Sequence, residues 1–320
     1  MDKEPYNSFI LAKRIITFIM ARMMGKSLYS CLYINTLEKN KEEKMVKVKK
    51  ERKTDNEKQQ IVSSLVIMDD AMFEAMCESP EFVEELLQTV LENPKLRIKY
   101  DSVVPQKSIK NLKGRSVRLD AYIEGENTVF NVEIQCSDNC NHVKRVRYNA
   151  SLITANNSET GDEFDNIQNL YVVYITKSDF FKKGLTVYHA QTTILETGDL
   201  VDNGLKEIYI NTTQNDGSRI AKLMSLFEKK ELDENDKEEF PNTYNKFFSL
   251  KHDRQEVNRM CEKIENYAKK YAEKEVIYSA IESYEECGLS QEMIIDKIIK
   301  RFSLTEDEAK QYYDDVFETV

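Results

Sequence analysis

The chain has 320 residues, of which 41% are hydrophobic, and a formal net charge of −10. This length accommodates a full α/β core with additional segments, because single domains commonly contain about 100–200 residues. The six cysteines lack the dense spacing of a secreted disulfide scaffold, so we expect reduced thiols and a cytoplasmic protein.

The negative charge is concentrated at one end of the chain. From Glu228 to the C-terminus there are 24 acidic and 15 basic residues, a net charge of −9. Residues 95–150 instead contain 11 basic and six acidic residues, a local charge of +5. Duplex binding depends on Lys and Arg neutralising phosphates, so this distribution keeps nucleic acid as a candidate partner that the total charge would exclude.

The first 34 residues are apolar but are interrupted every few positions by charge. They contain no uncharged run of about 18 residues, so no membrane-crossing helix is expected, and a basic pair inside the apolar run argues against a signal peptide. Three alternatives stay open: an amphipathic surface helix, a peripheral membrane anchor, or a stretch upstream of the true start codon, with Met45 or Met68 as later starts. Residues 38–60 alternate Lys and Glu, so we assign residues 1–60 to an extension and a charged linker.

The middle of the chain combines helical and strand patterns. Apolar residues at helical spacing between 72 and 91, with Ser79-Pro80 as an N-cap and first-turn pair, predict two short helices. Strands are predicted at 96–100, 117–123, 128–135, 170–175 and 208–211. The second and third strands are separated by a turn at 125–127 and form a hairpin. The fourth is a near-continuous apolar run, which is typical of a central strand buried on both faces.

The remaining patterns are helical. A helix is expected to begin near Tyr148, and a long polar helix is expected over 255–280. Two short helices follow, delimited by Gly288-Leu289-Ser290 and Ser303-Leu304-Thr305. We therefore assign residues 61–225 to the folded core and residues 226–320 to a charged helical region. This region is either a solvated appendage or the contact of a homo-oligomer.

Carboxylates converge on the predicted hairpin. Side chains alternate along a strand, so Asn131, Glu133 and Gln135 share one face, and Asp120 on the partner strand can meet the same face. Mg²⁺ and Mn²⁺ need only one or two carboxylates and keep waters for a substrate phosphate. The pattern predicts a divalent-metal site formed by Asp120 and Glu133, although an Asp with Glu-x-Gln is a weak signal when it stands alone.

Longer motifs surround these residues. The runs Asn111–Asp120 and Asn131–Gln135 are accompanied by Met68-Asp69-Asp70 with Phe73, Lys144-Arg145-x-Arg147-Tyr148, Lys183-Gly184-Leu185 with Tyr188-His189, and Glu196-Thr197-Gly198. In this combination the chain resembles the Rpn family of recombination-promoting nucleases, also called PD-(D/E)XK nuclease family putative transposases. The resemblance extends from about residue 68 to about residue 222.

The resemblance implies a restriction-endonuclease-like α/β fold with a three-layer core, a mixed central sheet and a helical C-terminal extension. It also implies Mg²⁺- or Mn²⁺-dependent cleavage of double-stranded DNA in a bacterial host with mobile elements. Asp120 and Glu133 take the positions of the metal ligands, Gln135 takes that of the superfamily's lysine, and Asp70 that of a helix-borne acidic residue. Leu119 stands where the motif's name has proline.

Basic residues near the carboxylates are candidates for holding DNA, and an ordinary solvated helix face is the alternative. They are Lys113, Arg115, Lys144, Arg145 and Arg147, together with Tyr148. Because Gln135 is uncharged, we expect the metal and a neighbouring cation such as Lys144 to supply the electrostatic stabilisation.

Three other interpretations are weighed against a nuclease. Cys136, Cys140 and His142 have near-ligand spacing for zinc, but a plain loop is the simpler interpretation. The change from Lys to Gln at position 135 allows a DNA-binding relic that no longer cleaves. The charged C-terminus allows an interaction protein that keeps the fold as a scaffold.

Overall fold

The computed structural model describes residues 55–109, 116–125, 127–136, 142–161 and 163–317. Its helices are α1 (Asp55–Ser63), α2 (Asp70–Cys77), α3 (Pro80–Val90), α4 (His142–Asn156), α5 (Arg219–Phe227), α6 (Glu234–Glu239), α7 (Pro241–His252), α8 (Arg254–Glu286), α9 (Gln291–Phe302) and α10 (Glu306–Phe317). Its strands are β1 (Val103–Ile109), β2 (Val117–Glu124), β3 (Thr128–Gln135), β4 (Asn169–Thr176), β5 (Val187–Ala190) and β6 (Leu205–Asn211). The predicted N-terminal extension lies almost entirely outside the described residues.

The six strands form one mixed sheet in the order β1-β2-β3-β4-β6-β5. β1, β2 and β3 are antiparallel neighbours, β3, β4 and β6 are parallel, and β5 returns antiparallel to β6. The hairpin predicted for β2 and β3 is confirmed, and so is the central position of β4. The mixed sheet with flanking helices and C-terminal helices has the α/β architecture that the sequence predicted.

Both faces of the central strands are buried, because helices flank the sheet. On one face, Val146, Ala150 and Ile153 of α4 pack with Val172 and Tyr174 of β4. The residues on the opposite face of the sheet are also buried, among them Val132, Ile134, Val173 and Ile175. A second helical layer contains the contacting rings of Phe73, Phe82 and Phe227, from α2, α3 and α5.

Two local predictions are wrong. Residues 96–100 do not form a strand, because side chains of α3 satisfy their backbone groups: Gln88 Nε2 donates to the Leu96 carbonyl at 2.9 Å, and the Ile98 N–H donates to Glu84 Oε2 at 3.0 Å. The first strand starts only at Val103, after a short 3₁₀ turn. The helix expected near Tyr148 already includes residue 142.

The caps predicted along the chain are confirmed. Ser79 Oγ accepts from the Phe82 N–H at 3.3 Å at the start of α3. Ser290 Oγ accepts from the Met293 N–H at 3.5 Å at the start of α9, and Thr305 Oγ1 accepts from the Glu308 N–H at 3.3 Å before α10. These local bonds fix where helices begin, which is why sequence alone located them.

Contacts divide the chain into two compact units, one of residues 58–261 and a second that contains residues 262–317. The second unit has its own apolar cluster, formed by Ile277, Ile281, Ile294, Ile295, Ile298 and Ala309. The boundaries expected at residues 60 and 225 stay predictions. Across the described part of the chain, none of the helices combines the length and apolarity needed to span a membrane.

Candidate active site

The candidate site lies where β2 and β3 stop pairing. Their ladder runs from Glu124↔Val129 to Ala121↔Val132 and ends there. Beyond that point the side chain of Asp120 replaces a backbone acceptor, since its Oδ2 accepts from the Ile134 N–H at 3.0 Å. Asp120 is half-buried. The gap between the two strands therefore holds a carboxylate instead of a continued ladder.

Glu133 is the most unusual residue of this region. It follows the end of the ladder on β3 and its solvent exposure is 0%. Neither carboxylate oxygen has a hydrogen-bond partner among the described residues, and the same holds for both polar side-chain atoms of the buried Asn131. Arg145 Nη2 lies 3.7 Å from Glu133 Oε2. A buried carboxylate without hydrogen bonds is costly unless an ion compensates it.

Gln135 and Arg145 connect β3 to α4. Arg145 Nη1 donates to Gln135 Oε1 at 2.7 Å, while the other terminal nitrogen of the same guanidinium faces Glu133. Glu133 and Gln135, which lie two positions apart on the same face of β3, thus share one cation from the first turn of α4. Lys144, given above as an example of such a neighbouring cation, is exposed, and Arg145 is the cation that contacts Gln135.

Asp70 belongs to the same electrostatic neighbourhood. It is the first residue of α2, and its charge acts on the carboxyl group of Asp120. Asp70 keeps contact with solvent, yet the protein atoms around it desolvate its carboxyl group and raise its pKa, and the Asp69 carboxylate raises it further. The charges of Arg145, Arg118 and Lys177 oppose this shift.

The two central carboxyl groups have raised pKa values. Desolvation by burial is the largest cause for Glu133, and the nearby Asp120 carboxylate raises its pKa further against the opposing charge of Arg145. Desolvation also raises the pKa of Asp120, while the Ile134 N–H lowers it and the Asp70 charge raises it again. Arg145 is therefore the cation whose charge acts on all three acidic residues, and the site favours the binding of additional positive charge.

This arrangement predicts how stability depends on pH. Glu133 and Asp120 have folded-state pKa values above those of the unfolded chain, so the folded protein binds more protons once the pH exceeds about 4. We expect the free energy of unfolding without added metal to fall by more than about 1 kcal/mol between about pH 5 and pH 8, since one pKa unit corresponds to about 1.4 kcal/mol.

Urea unfolding at both pH values measures this effect, with Glu133→Gln as the comparison. Glutamine at position 133 cannot ionise, so the variant should lose much less stability than the parent. Equal losses in the two proteins would show that Glu133 does not titrate with a raised pKa.

The donor set fits a hard divalent cation. Asp120 and Glu133 offer oxygen ligands, which Mg²⁺ and Mn²⁺ prefer, and the carboxylate oxygens of Glu133 have unused hydrogen-bonding capacity. No group of three or more His, Cys, Asp or Glu side chains in the described ranges is arranged to hold a metal ion. Water and substrate oxygens would therefore complete the coordination, as is usual for Mg²⁺.

The zinc interpretation of residues 136–142 finds no support in the described residues. The His142 ring is buried in α4, where it stacks on Phe180 with centroids 4.5 Å apart and has Nδ1 3.1 Å from the Tyr174 hydroxyl. Cys136 Sγ lies 2.9 Å from the Met68 carbonyl oxygen. Cys140 lies outside the described residues.

The predicted DNA contacts are only partly described. Lys113 and Arg115 lie outside the described residues. Lys144, Arg147 and Tyr148 are spaced at three and four residues on α4, which places them on one side of the helix. Lys144 and Arg147 are exposed and Tyr148 is half-buried. They form a basic surface on the helix that also carries Arg145.

The sheet order, the gap between β2 and β3 and the acidic cluster define an α/β protein with a carboxylate-rich site where two strands stop pairing. Residues 71–315 match the PD-(D/E)XK nuclease family transposase, and the chain belongs to this family. The match confirms the resemblance drawn from the motifs, and it continues past residue 222 through the C-terminal helices. No curated protein matches the chain.

Proposed function

We propose that the protein is a metal-dependent endonuclease that cleaves double-stranded DNA. The observation that carries the proposal is the fully buried Glu133 carboxylate, which follows the end of the β2–β3 ladder near Asp120 and accepts no hydrogen bond from the residues that the structure describes. Membership of a nuclease family supports phosphodiester cleavage. The direct test is conversion of supercoiled plasmid to nicked circles in the presence of Mg²⁺ or Mn²⁺.

Asp120 and Glu133 are the proposed ligands of the cation. When bound, a divalent cation supplies a Lewis acid that polarises a phosphoryl oxygen and lowers the pKa of water. The Ile134 N–H holds Asp120 Oδ2, and burial between β3 and α4 keeps bulk water away from Glu133. The Asp120 ligand is therefore oriented before substrate arrives, which reduces the cost of reorganisation during the reaction.

Gln135 is the proposed orienting residue for the attacking water. Its carboxamide can donate to or accept from a water or a phosphate oxygen, but it carries no charge. Arg145 compensates for this, because its guanidinium contacts Gln135 and lies beside Glu133. The positive charge that a lysine would provide at position 135 thus comes from α4, and Arg145 is placed to stabilise charge on the scissile phosphate.

The exposed basic surface of α4 is the proposed contact for DNA phosphates. Lys144→Ala and Arg147→Ala should each weaken DNA binding and reduce the slope of log affinity against log salt by about 1. Fluorescence anisotropy with a labelled duplex, measured in Ca²⁺ at several salt concentrations, reads this slope.

Lys300→Ala is the matched control for these variants, since Lys300 is an exposed lysine of α9. Its salt slope should equal that of the parent. An unchanged slope in Lys144→Ala and Arg147→Ala would show that this side of α4 is a solvated surface and that the duplex lies elsewhere.

A DNA-binding protein that does not cleave is the second candidate function. The contact between Arg145 and Glu133 favours it, because an internal cation already offsets part of the acidic charge. Isothermal titration with Mg²⁺ separates it from a scaffold without a metal site, and the nicking assay separates it from the nuclease. Self-association through the C-terminal helices stays a prediction.

A further inference from the structure

β1 contains a local irregularity directly opposite Asp120. The strand pairs with β2 through Pro105 and resumes pairing at Lys107, but Gln106 between them forms no pair. Gln106 has a φ of +54°, in the left-handed region. This conformation is uncommon for residues other than glycine, and a strand without such a residue would keep its ladder continuous.

The irregular backbone coincides with a specific side-chain contact. Gln106 Nε2 donates to Asp120 Oδ1 at 3.2 Å, while Asp120 Oδ2 accepts from the Ile134 N–H at 3.0 Å. Each oxygen of the carboxylate is therefore held by one of the two strands that flank β2. The remaining lone pairs of both oxygens can still bind an ion, because a carboxylate has about four acceptor positions.

We propose that Gln106 is a positioning residue that fixes the Asp120 carboxylate for binding a divalent cation. The proposal rests on the proposed function, and it adds a residue that none of the sequence motifs contains. Hydrogen bonds to a ligating carboxylate set its orientation, and their loss typically lowers metal affinity about 10–100-fold. Unfavourable backbone conformations are retained where the surrounding structure requires them, often at functional sites.

A purely structural role for Gln106 makes a different prediction. Gln106→Gly removes the side chain and accepts the positive φ without steric cost, so the melting temperature without metal should stay the same or rise. If Gln106 positions Asp120, the same variant should bind Mg²⁺ about 10-fold more weakly or worse. A merely structural contact would instead lower the melting temperature of Gln106→Gly and leave Mg²⁺ affinity unchanged.

The experiment is isothermal titration of the full chain with MgCl₂, and of the parent also with MnCl₂, paired with thermal unfolding in the absence of metal. Ser303→Gly is the matched control, because exposed Ser303 ends α9 with a φ of +57° and lies in the other compact unit. Its Mg²⁺ affinity should equal that of the parent. Gln106→Asn provides a second variant, since asparagine tolerates a positive φ but is one methylene shorter and does not reach Asp120.

The outcomes separate this proposal from the one on which it rests. Weaker Mg²⁺ binding in Gln106→Gly and Gln106→Asn, with parental affinity in Ser303→Gly, supports the positioning role. Parental affinity in either folded Gln106 variant overturns it and leaves the endonuclease proposal standing. A parent protein that binds neither Mg²⁺ nor Mn²⁺ overturns both proposals.

Discussion

Replacement of Glu133 by glutamine is expected to abolish metal-dependent cleavage of plasmid DNA while the protein stays folded. The substitution keeps the volume of the buried side chain but removes a charged ligand, and Asp120→Ala removes the second one. Lewis-acid stabilisation contributes several kcal/mol to phosphoryl transfer, so each variant should reduce the nicking rate by more than about 10³. The initial rate of nicked-circle formation measures the effect.

Stability distinguishes loss of a ligand from loss of the fold. Glu133→Gln removes one of the neighbouring carboxylates with raised pKa values, so its melting temperature without metal at neutral pH should equal or exceed that of the parent. Glu163→Gln, at an exposed carboxylate, is the matched control and should cleave normally. Full activity in Glu133→Gln or Asp120→Ala would remove the proposed metal site.

Gln135→Ala should lower the cleavage rate by about 10²–10³, the scale for losing one preorganised hydrogen-bonding group. The alanine cannot orient water, and it also releases Arg145 from its 2.7 Å contact with the carboxamide. Single-turnover nicking with saturating protein isolates this step from DNA binding. A variant that cuts as fast as the parent would assign Gln135 a structural role.

Moving the positive charge from residue 145 to residue 135 provides the control for position 135. Gln135→Lys should keep measurable activity, because the ammonium group would lie near Glu133, although it also approaches the guanidinium of Arg145. The double variant Gln135→Lys with Arg145→Gln has the same net charge as the parent, and its cleavage rate should exceed that of Arg145→Gln alone. If only proteins with Gln135→Lys cut and the parent is silent with every metal, the chain is a DNA-binding relic.

The predictable part of this fold depends on local signals. Alternation over residues 117–123 and 128–135 identified the hairpin, and the apolar run at 170–175 identified the central strand. The side-chain periodicity of a strand placed Glu133 and Gln135 on one side of β3. Alternation alone cannot distinguish a metal site from an ordinary carboxylate on a strand. The longer motifs made that distinction.

The remainder depends on contacts between distant residues. Residues 96–100 alternate like a strand, but their backbone groups hydrogen-bond to the side chains of Glu84 and Gln88 in the preceding helix. Arg145 rather than Lys144 reaches Gln135, because the rotation of α4 against the sheet decides which neighbour points inward. The contact of Gln106 with Asp120 has no sequence signal, since it depends on one residue with a positive φ.

The most direct measurement of the central claim is nicking of supercoiled plasmid by the full chain at low salt, with Mg²⁺, Mn²⁺ or EDTA, beside Asp120→Ala. A low-salt buffer is needed because phosphate contacts weaken steeply with salt. The account predicts nicked circles for the parent with Mg²⁺ or Mn²⁺, and none with EDTA or with Asp120→Ala. Equal nicking by the parent and Asp120→Ala, or nicking that persists in EDTA, would contradict it.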